Sequence, residues 1–263
     1  MAEPAVIVRN LTRQFEGLLA VDHVDMDLDA GKIYGLIGTN GAGKSTVINM
    51  LSGNLNPTEG SIVFRGKHLE YASADACARA GVSRTFQNLR LFADETVLDN
   101  VITASQIRRT YGLGQMLLYL PGYRKEEEAF RKNAYEMLRL MKIDKYADQT
   151  AGSLPYGLQR RLEIARCLAL NPGLLLLDEP AAGMNPQESL ELVRDIRMVH
   201  EKRPQMTILL IEHDMKVIMS LCSYIYVMAS GQKIEEGTPD QIRSSQKVIN
   251  AYLGGSVHAD SGS

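Results

Sequence analysis

The spacing of apolar and polar positions changes along the chain, and each change marks an element. From Val21, VDHVDMDLDAG alternates apolar and polar residues, as a half-buried antiparallel strand would. KIYGLIG (32–38) is a short apolar run closed by glycine and predicts a buried strand. SIVFRGK, after the turn NPTEG, predicts an edge strand or a hairpin arm. LLLLDEP (174–180) and TILLIEHD (207–214) each carry at least four apolar residues into carboxylates, and the first predicts a strand covered on both faces of a parallel sheet. A helix over about 187–202 lies between them and would complete a βαβ unit. YIYVMASGQKIEEG predicts a closing hairpin.

Helical spacing governs the middle of the chain. TVLDNVITASQI puts Val97, Val101 and Ala104 on one side. In EEEAFRKNAYEMLRLMK, Phe130, Ala134, Met137, Leu138 and Met141 recur at three- and four-residue steps opposite a charged face, which is the mark of a core-facing helix. No strong strand pattern occurs between about residues 88 and 165, so a helical subdomain inserted into an α/β core is expected. One domain would span 4–253, with core segments at about 4–87 and 166–253, followed by a polar, disordered tail over 254–263. TYGLGQMLLYLPGYRK is rich in glycine and aromatics and stays unassigned. There is no internal repeat.

Composition narrows the classes. The 263 residues are 45% apolar, enough for one large core, and the net charge of -2 gives no general affinity for nucleic acid or acidic membranes. MAEPAVIVRN has neither a basic nor an apolar leader region, so no signal peptide is expected. No apolar run approaches the roughly 20 residues of a membrane helix, so a membrane role would come through a partner. Cys77, Cys167 and Cys222 are odd in number and widely separated, which predicts three reduced thiols in a cytosolic protein.

The chemistry begins at GTNGAGKST, residues 38–46, which matches G-x-x-x-x-G-K-[ST]. It lies between a buried strand and the helical segment TVINMLSG, a context that weighs against a chance glycine-rich turn. Glycines let the backbone curl so that successive N–H groups face one phosphate chain, and the helix N-terminus adds partial positive charge. Gly38, Asn40, Gly41, Ala42, Gly43, Lys44, Ser45 and Thr46 are therefore the candidate nucleotide-binding residues. Lys44 can pair the β- and γ-phosphates, and the Ser45 hydroxyl can ligate Mg2+. A dinucleotide fingerprint begun at Gly41 fails, because Thr46 stands where glycine is required.

Asp178 and Glu179 end the LLLL run, at the strand end where α/β sheets bind ligands. Asp178 would hold Mg2+ through a water, and Glu179 would face the attacking water as general base. Two acids there can instead cap the next helix, a reading that weakens beside a phosphate loop. His213 is a candidate donor to the γ-phosphate, although a lone histidine is usually structural. Gln87, in TFQN after the strand-like VSRTF, could reach the Mg2+ and the water.

Together these parts resemble the nucleotide-binding subunit of ABC transporters, in the same order along the chain and over about residues 4–253. The resemblance implies a P-loop NTPase core with an antiparallel β subdomain and an inserted helical subdomain, hydrolysing ATP with Mg2+. It makes Gln87 the glutamine loop, 154–158 the signature turn, and His213 the switch histidine. Phe15 falls where a ring stacks on adenine, with ordinary core packing as its alternative. Two such subunits pair head to tail, so the turn at Tyr156 and Gly157 would complete the partner's nucleotide site in trans. Arg160 and Arg161, on the following helix SLPYGLQRRLEIAR, are then expected mostly at its solvated flanks. No basic patch with aromatics surrounds that helix, so nucleic acid is not an expected partner.

There are departures from the family pattern. Pro155 replaces a serine and brings neither hydroxyl nor N–H, Leu158 replaces a glutamine, and Asn185 stands where the dimer-contact loop usually has aspartate. Loss of one oxyanion-type donor costs about 2.7–4 kcal/mol of barrier. Within the family the chain looks most like the ATPase subunit of bacterial branched-chain amino-acid importers. The features are the long insertion between Gln87 and Leu154, the phrase YGLQRRLEIARCLA, the loop AAGMNP and the ending AYLGG. That resemblance implies permease partners and a place at the cytoplasmic face of the inner membrane. Leu89, Leu91 and Phe92 would meet a helix of the permease, or else belong to the core. A lipopolysaccharide-export ATPase is the nearest alternative. A soluble ATP-driven switch on nucleic acid or ribosomes is another, but such relatives usually carry paired ATP units or a long coiled coil.

Overall fold

The computed structural model describes residues 4–118 and 121–254, so all but the first residue of the expected polar tail lies outside the described residues. The chain opens with β1 (Pro4–Phe15), β2 (Leu18–Asp29), β3 (Ile33–Gly38), α1 (Lys44–Leu51), β4 (Glu59–Phe64), β5 (Lys67–His68), α2 (Ala74–Ala80) and β6 (Val82–Arg84). Four helices follow: α3 (Val97–Ser105), α4 (Leu113–Leu117), α5 (Pro121–Leu140) and α6 (Tyr156–Ala169). The remainder is β7 (Leu174–Asp178), α7 (Pro186–Lys202), β8 (Thr207–Ile211), α8 (Met215–Leu221), β9 (Tyr224–Ala229), β10 (Gln232–Gly237), α9 (Pro239–Ser244) and α10 (Gln246–Gly254).

Contacts divide the chain into two compact units, the first drawn from Met1–Arg84, Gly173–Glu179 and His200–Ser263. Its larger sheet runs β10-β9-β3-β8-β7-β6, with every strand from β9 to β6 parallel and β10 antiparallel at the edge. Residues of β7 and β8 are buried throughout, which is why their sequences are unbroken apolar runs. The smaller sheet is antiparallel, in the order β2-β1-β4-β5. Val8, Leu11, Met26 and Phe64 from this sheet share one core with Leu36, Leu176, Ile211 and the α1 residues Val47, Ile48 and Leu51. Burial of that α1 face anchors the helix that follows the phosphate loop.

The smaller sheet decides between the two alternatives for one strand and adds another that the sequence pattern did not announce. SIVFRGK is the hairpin arm with β5, but β4 lies between β1 and β5 rather than at an edge. β1 has no clean alternation to announce it, because register shifts between Val8 and Leu11 and again near Arg13 break the two-residue period.

The second unit comprises Thr85–Pro172 and Pro180–Val199, so it extends past the helical stretch 88–165 at its C-terminal side and takes in most of α7. Its core uses the predicted stripe except at its first member: Ala134, Met137, Leu138 and Met141 are buried, together with Val97, Leu98, Val101, Leu162 and Leu168, whereas Phe130 is half-buried. The side chain of Asn100 is fully buried and bonds the carbonyls of Phe92 and Thr96, which satisfies its amide and fixes the loop ahead of α3. The unassigned stretch holds α4 and the start of α5, with Tyr111 hydrogen-bonded to Glu127 and its ring edge-on to Tyr123 at 5.0 Å. Among the described residues, no helix is long and apolar enough to cross a membrane.

Candidate functional site

Parallel pairing of β3, β8, β7 and β6 brings the carboxyl ends of four adjacent strands to one edge of the sheet. From those ends emerge the loop 38–46, His213, the Asp178–Glu179 pair and Arg84. Three of these were expected from sequence; Arg84 was not.

Backbone geometry explains the glycines of the loop. Gly38 has φ 152, and a Cβ there would come within 2.1 Å of the Met228 carbonyl; at Gly43, with φ 96, it would lie 2.4 Å from that of Ala20. Only glycine fits either position. Asn40, Gly41 and Ser45 are exposed, whereas Ala42 is buried and Thr46 half-buried. Lys44 is buried and its Nζ donates to the carbonyls of Gly38 (2.8 Å) and Thr39 (2.9 Å). Burial pushes its pKa down, against the opposing pull of Glu179 and Asp178. An ammonium beside α1's N-terminus is an arrangement that can receive an anion.

Glu179 follows β7 with φ 48, a left-handed conformation that costs free energy for a residue with a Cβ. Its N–H donates to the Ile211 carbonyl at the end of β8 (3.0 Å), and its Oε1 lies 2.6 Å from Nε2 of His213. Asp178 is 3% exposed and pairs through Oδ2 with the Arg84 guanidinium at 2.9 Å. Arg84 also donates to Asn49 Oδ1 (2.6 Å) and Ser52 Oγ (3.1 Å) on and just after α1, so one buried cation ties β6, β7 and the loop helix together. The signal for it was a charged residue within the strand-like VSRTF.

The donor set suits Mg2+. Ser45 and Asp178 offer hard oxygens, and no group of three or more His, Cys, Asp or Glu side chains that could hold a metal ion occurs among the described residues. An ion that takes one or two protein oxygens and completes its shell with water and phosphate needs no such cage. Phe15 ends β1 half-exposed, with the Arg13 guanidinium 4.5 Å from its ring centroid.

Gln87 and the signature turn both belong to the second unit. Pro155 occupies the N-cap of α6 with φ -54 and no side-chain capping bond, so the proline sets the turn but leaves the cap unmade. Tyr156 is 42% exposed, and its ring approaches Gly183 of AAGMNP, where an added Cβ would meet it at 3.2 Å. Asn185 caps α7 reciprocally: its Oδ1 accepts from Glu188 N (2.9 Å), while Glu188 Oε2 accepts from Asn185 N (3.0 Å).

The expected solvated flank of α6 is corrected by the structure. Arg160 is 2% exposed and Arg161 9%. Arg161 pairs with Asp195, which is fully buried, and with Glu191 at 3.3 Å. Arg160 bonds the Tyr156 hydroxyl, the carbonyls of Phe86 and Gln87, and Glu163. Burial holds the Glu163 carboxyl above its usual range, although the Phe86 N–H and Arg160 both pull it down. Leu89 and Leu91 are half-buried and Phe92 exposed, with the Arg166 guanidinium 5.2 Å from its ring.

Known proteins resemble the chain over nearly its whole length. Residues 21–182 match the family model for the ABC transporter, and residues 232–258 match that for the branched-chain amino acid ATP-binding cassette transporter. The chain is 44% identical to the high-affinity branched-chain amino acid transport ATP-binding protein LivG of Escherichia coli (strain K12), over 97% of this chain and 99% of that one. It is 41% identical to the corresponding protein BraF of Pseudomonas aeruginosa, over 97% and 99% of the two chains. Among solved structures, the ADP conformation of MJ1267, an ATP-binding cassette of an ABC transporter, superimposes with a TM-score of 0.83 at 30% identity, covering 96% of this chain and 100% of that one.

Proposed function

The chain belongs to the ATP-binding subunits of ABC transporters, an ATP-hydrolysing family, and on that premise we propose that it powers uptake of branched-chain amino acids through a membrane permease. The observation that carries the catalytic half of this reading is the Glu179–His213 pair beside the loop of Lys44 on one sheet edge. The cargo rests on the names of the relatives and on the match of residues 232–258.

ATP would lay its phosphates along the N–H groups of 38–46, with Lys44 exchanging the Gly38 and Thr39 carbonyls for phosphate oxygens and the adenine on Phe15. Ser45, Asp178 and Gln87 would hold Mg2+, which when bound neutralises charge on the β- and γ-phosphate oxygens. Arg84, paired with Asp178 at 2.9 Å, holds that carboxylate in place. Glu179 accepts the proton of the attacking water, and His213, fixed by its bond to Glu179, faces the γ-phosphate as donor. Turnover then depends on a second copy, whose Tyr156–Gly157 turn closes over the nucleotide, or on a related ATPase that presents its own turn there. ATP favours the closed pair and hydrolysis lets it reopen, a population shift that drives the permease between access states.

The permease would hold the protein at the cytoplasmic membrane face. Reconstitution with the native permease in liposomes tests the reading: branched-chain amino acids should stimulate phosphate release and accumulate only with ATP. ATP turnover that no such amino acid stimulates would remove the cargo assignment. Absence of turnover by the assembled complex would remove the function.

A further inference from the structure

We infer that Tyr156 and Arg160 form a relay that transmits engagement of the exposed signature turn to the loop carrying Gln87. The inference rests on the reading above, in which the turn closes over a nucleotide and Gln87 holds Mg2+, and adds to it a route within one subunit. Its outer end is Tyr156, 42% exposed on the turn that a second subunit would meet. The ring lies against Gly183 of the AAGMNP loop, and the hydroxyl accepts from Arg160 Nε at 3.0 Å. From there Arg160 runs inward at 2% exposure, its Nη1 bonding the Phe86 carbonyl (2.8 Å) and its Nη2 that of Gln87 (2.5 Å). Glu163 completes the clasp, accepting from Arg160 Nη1 (3.1 Å) and from Phe86 N (3.0 Å).

Stability alone is a poor account of this arrangement. Removing a guanidinium and a carboxylate from water is costly, and apolar side chains of the same volume often serve packing as well or better. What the planar fork adds is direction: donors fixed in one plane hold a helix to the backbone of a distant loop. A displacement of the turn therefore reaches the Gln87 carbonyl through two side chains. Tyr156 and Arg160 are positioning residues here, acting through Gln87.

Tyr156→Phe is the decisive variant, since it keeps the ring against Gly183 and removes only the hydroxyl; Arg160→Ala would leave buried carbonyls unpaired and risks unfolding. Steady-state ATP hydrolysis by the complex with its permease should show kcat reduced roughly tenfold, the scale of one lost hydrogen bond to a charged group, with KM for ATP little changed. In a Gln87→Ala background the same substitution should cost less than about twofold, because coupled residues are not additive. Hydrogen exchange of the peptide around residues 85–88 should quicken in Tyr156→Phe while that of β3 does not. Unchanged kcat, an equal loss in the Gln87→Ala background, or unchanged exchange at 85–88 would each overturn the relay. If the unmodified complex hydrolyses no ATP, the functional reading fails, and the exchange measurement still decides the relay.

Discussion

Glu179 and His213 leave neighbouring parallel strands, and their side chains meet at 2.6 Å, Nε2 to Oε1. The contact joins the residue that would take the proton of water to the residue that would face the phosphate. Replacing Glu179 with Gln keeps the shape but removes the base. The expected result is retained ATP binding, a trapped dimer by size-exclusion chromatography, and hydrolysis lowered about 10²–10⁴-fold. Normal phosphate release from Glu179→Gln would take the base role away from it. His213→Ala should lose on the order of 10²-fold by the same assay, the effect of one missing donor.

The Arg84–Asp178 pair is buried, with 8% and 4% side-chain exposure. Arg84→Ala leaves the Asp178 charge without its cation and should cost about 3–5 kcal/mol of stability. Calorimetry would read this as a fall in Tm of roughly 2–4 °C per kcal/mol at this chain length. A shift of under a degree would show that Asp178 does not depend on Arg84.

Pro155 has the extended conformation of an N-cap, φ -54 and ψ 148, without a capping side chain. A serine fits those angles, adds a hydroxyl and restores an N–H. Pro155→Ser should gain about 1 kcal/mol of helix stability and raise the hydrolysis rate. If urea denaturation shows the gain while turnover is unchanged or lower, the proline turn is not a catalytic defect.

Gly43 and Gly66 both have positive φ, but a Cβ at Gly43 would strike the Ala20 carbonyl at 2.4 Å, whereas at Gly66 it would meet open space. Gly43→Ala should therefore abolish binding of a fluorescent ATP analogue. Gly66→Ala should bind it normally and lose only the roughly 1–2 kcal/mol of left-handed strain. Equal binding by the two variants would contradict the loop geometry.

Burial pushes the thiols of Cys167 and Cys222 up to about 12 from an ordinary 9.0. Both should resist maleimide at neutral pH in the folded protein and react once it is unfolded. Because the folded state holds these protons more tightly, their contribution is intact below pH 9.0 and is lost as pH rises towards about 12. Urea midpoints across that range should fall with pH, and less steeply in Cys167→Ala/Cys222→Ala. Rapid labelling of the folded chain would show that these sites open locally.

Much of the fold was legible because its signals are local. The unbroken apolar runs of β7 and β8 could be read directly, since both faces of those strands are covered. The α5 stripe was readable for the complementary reason, one face buried and one wet. β1 escaped notice because its bulges hide the alternation, and the edge and hairpin alternatives for β4 stayed open because two-residue β5 carries almost no pattern. At the candidate site, Lys44 was singled out through the spacing of GTNGAGKST, and Asp178, Glu179 and His213 through their place after buried strands. Arg84 was passed over as an ordinary strand residue.

The sequence by itself determined the phosphate loop, the acids after β7 and the βαβ order, since each depends on spacing within a few residues. Tertiary structure alone decided which charges are buried and whom they meet. Arg160 and Arg161 lie on a helix whose own sequence gives them a wet flank, yet their partners, Gln87, Glu191 and Asp195, come from segments remote along the chain. A guanidinium is stable out of water only where distant groups arrive to pair with it, and a local pattern holds no record of that arrival.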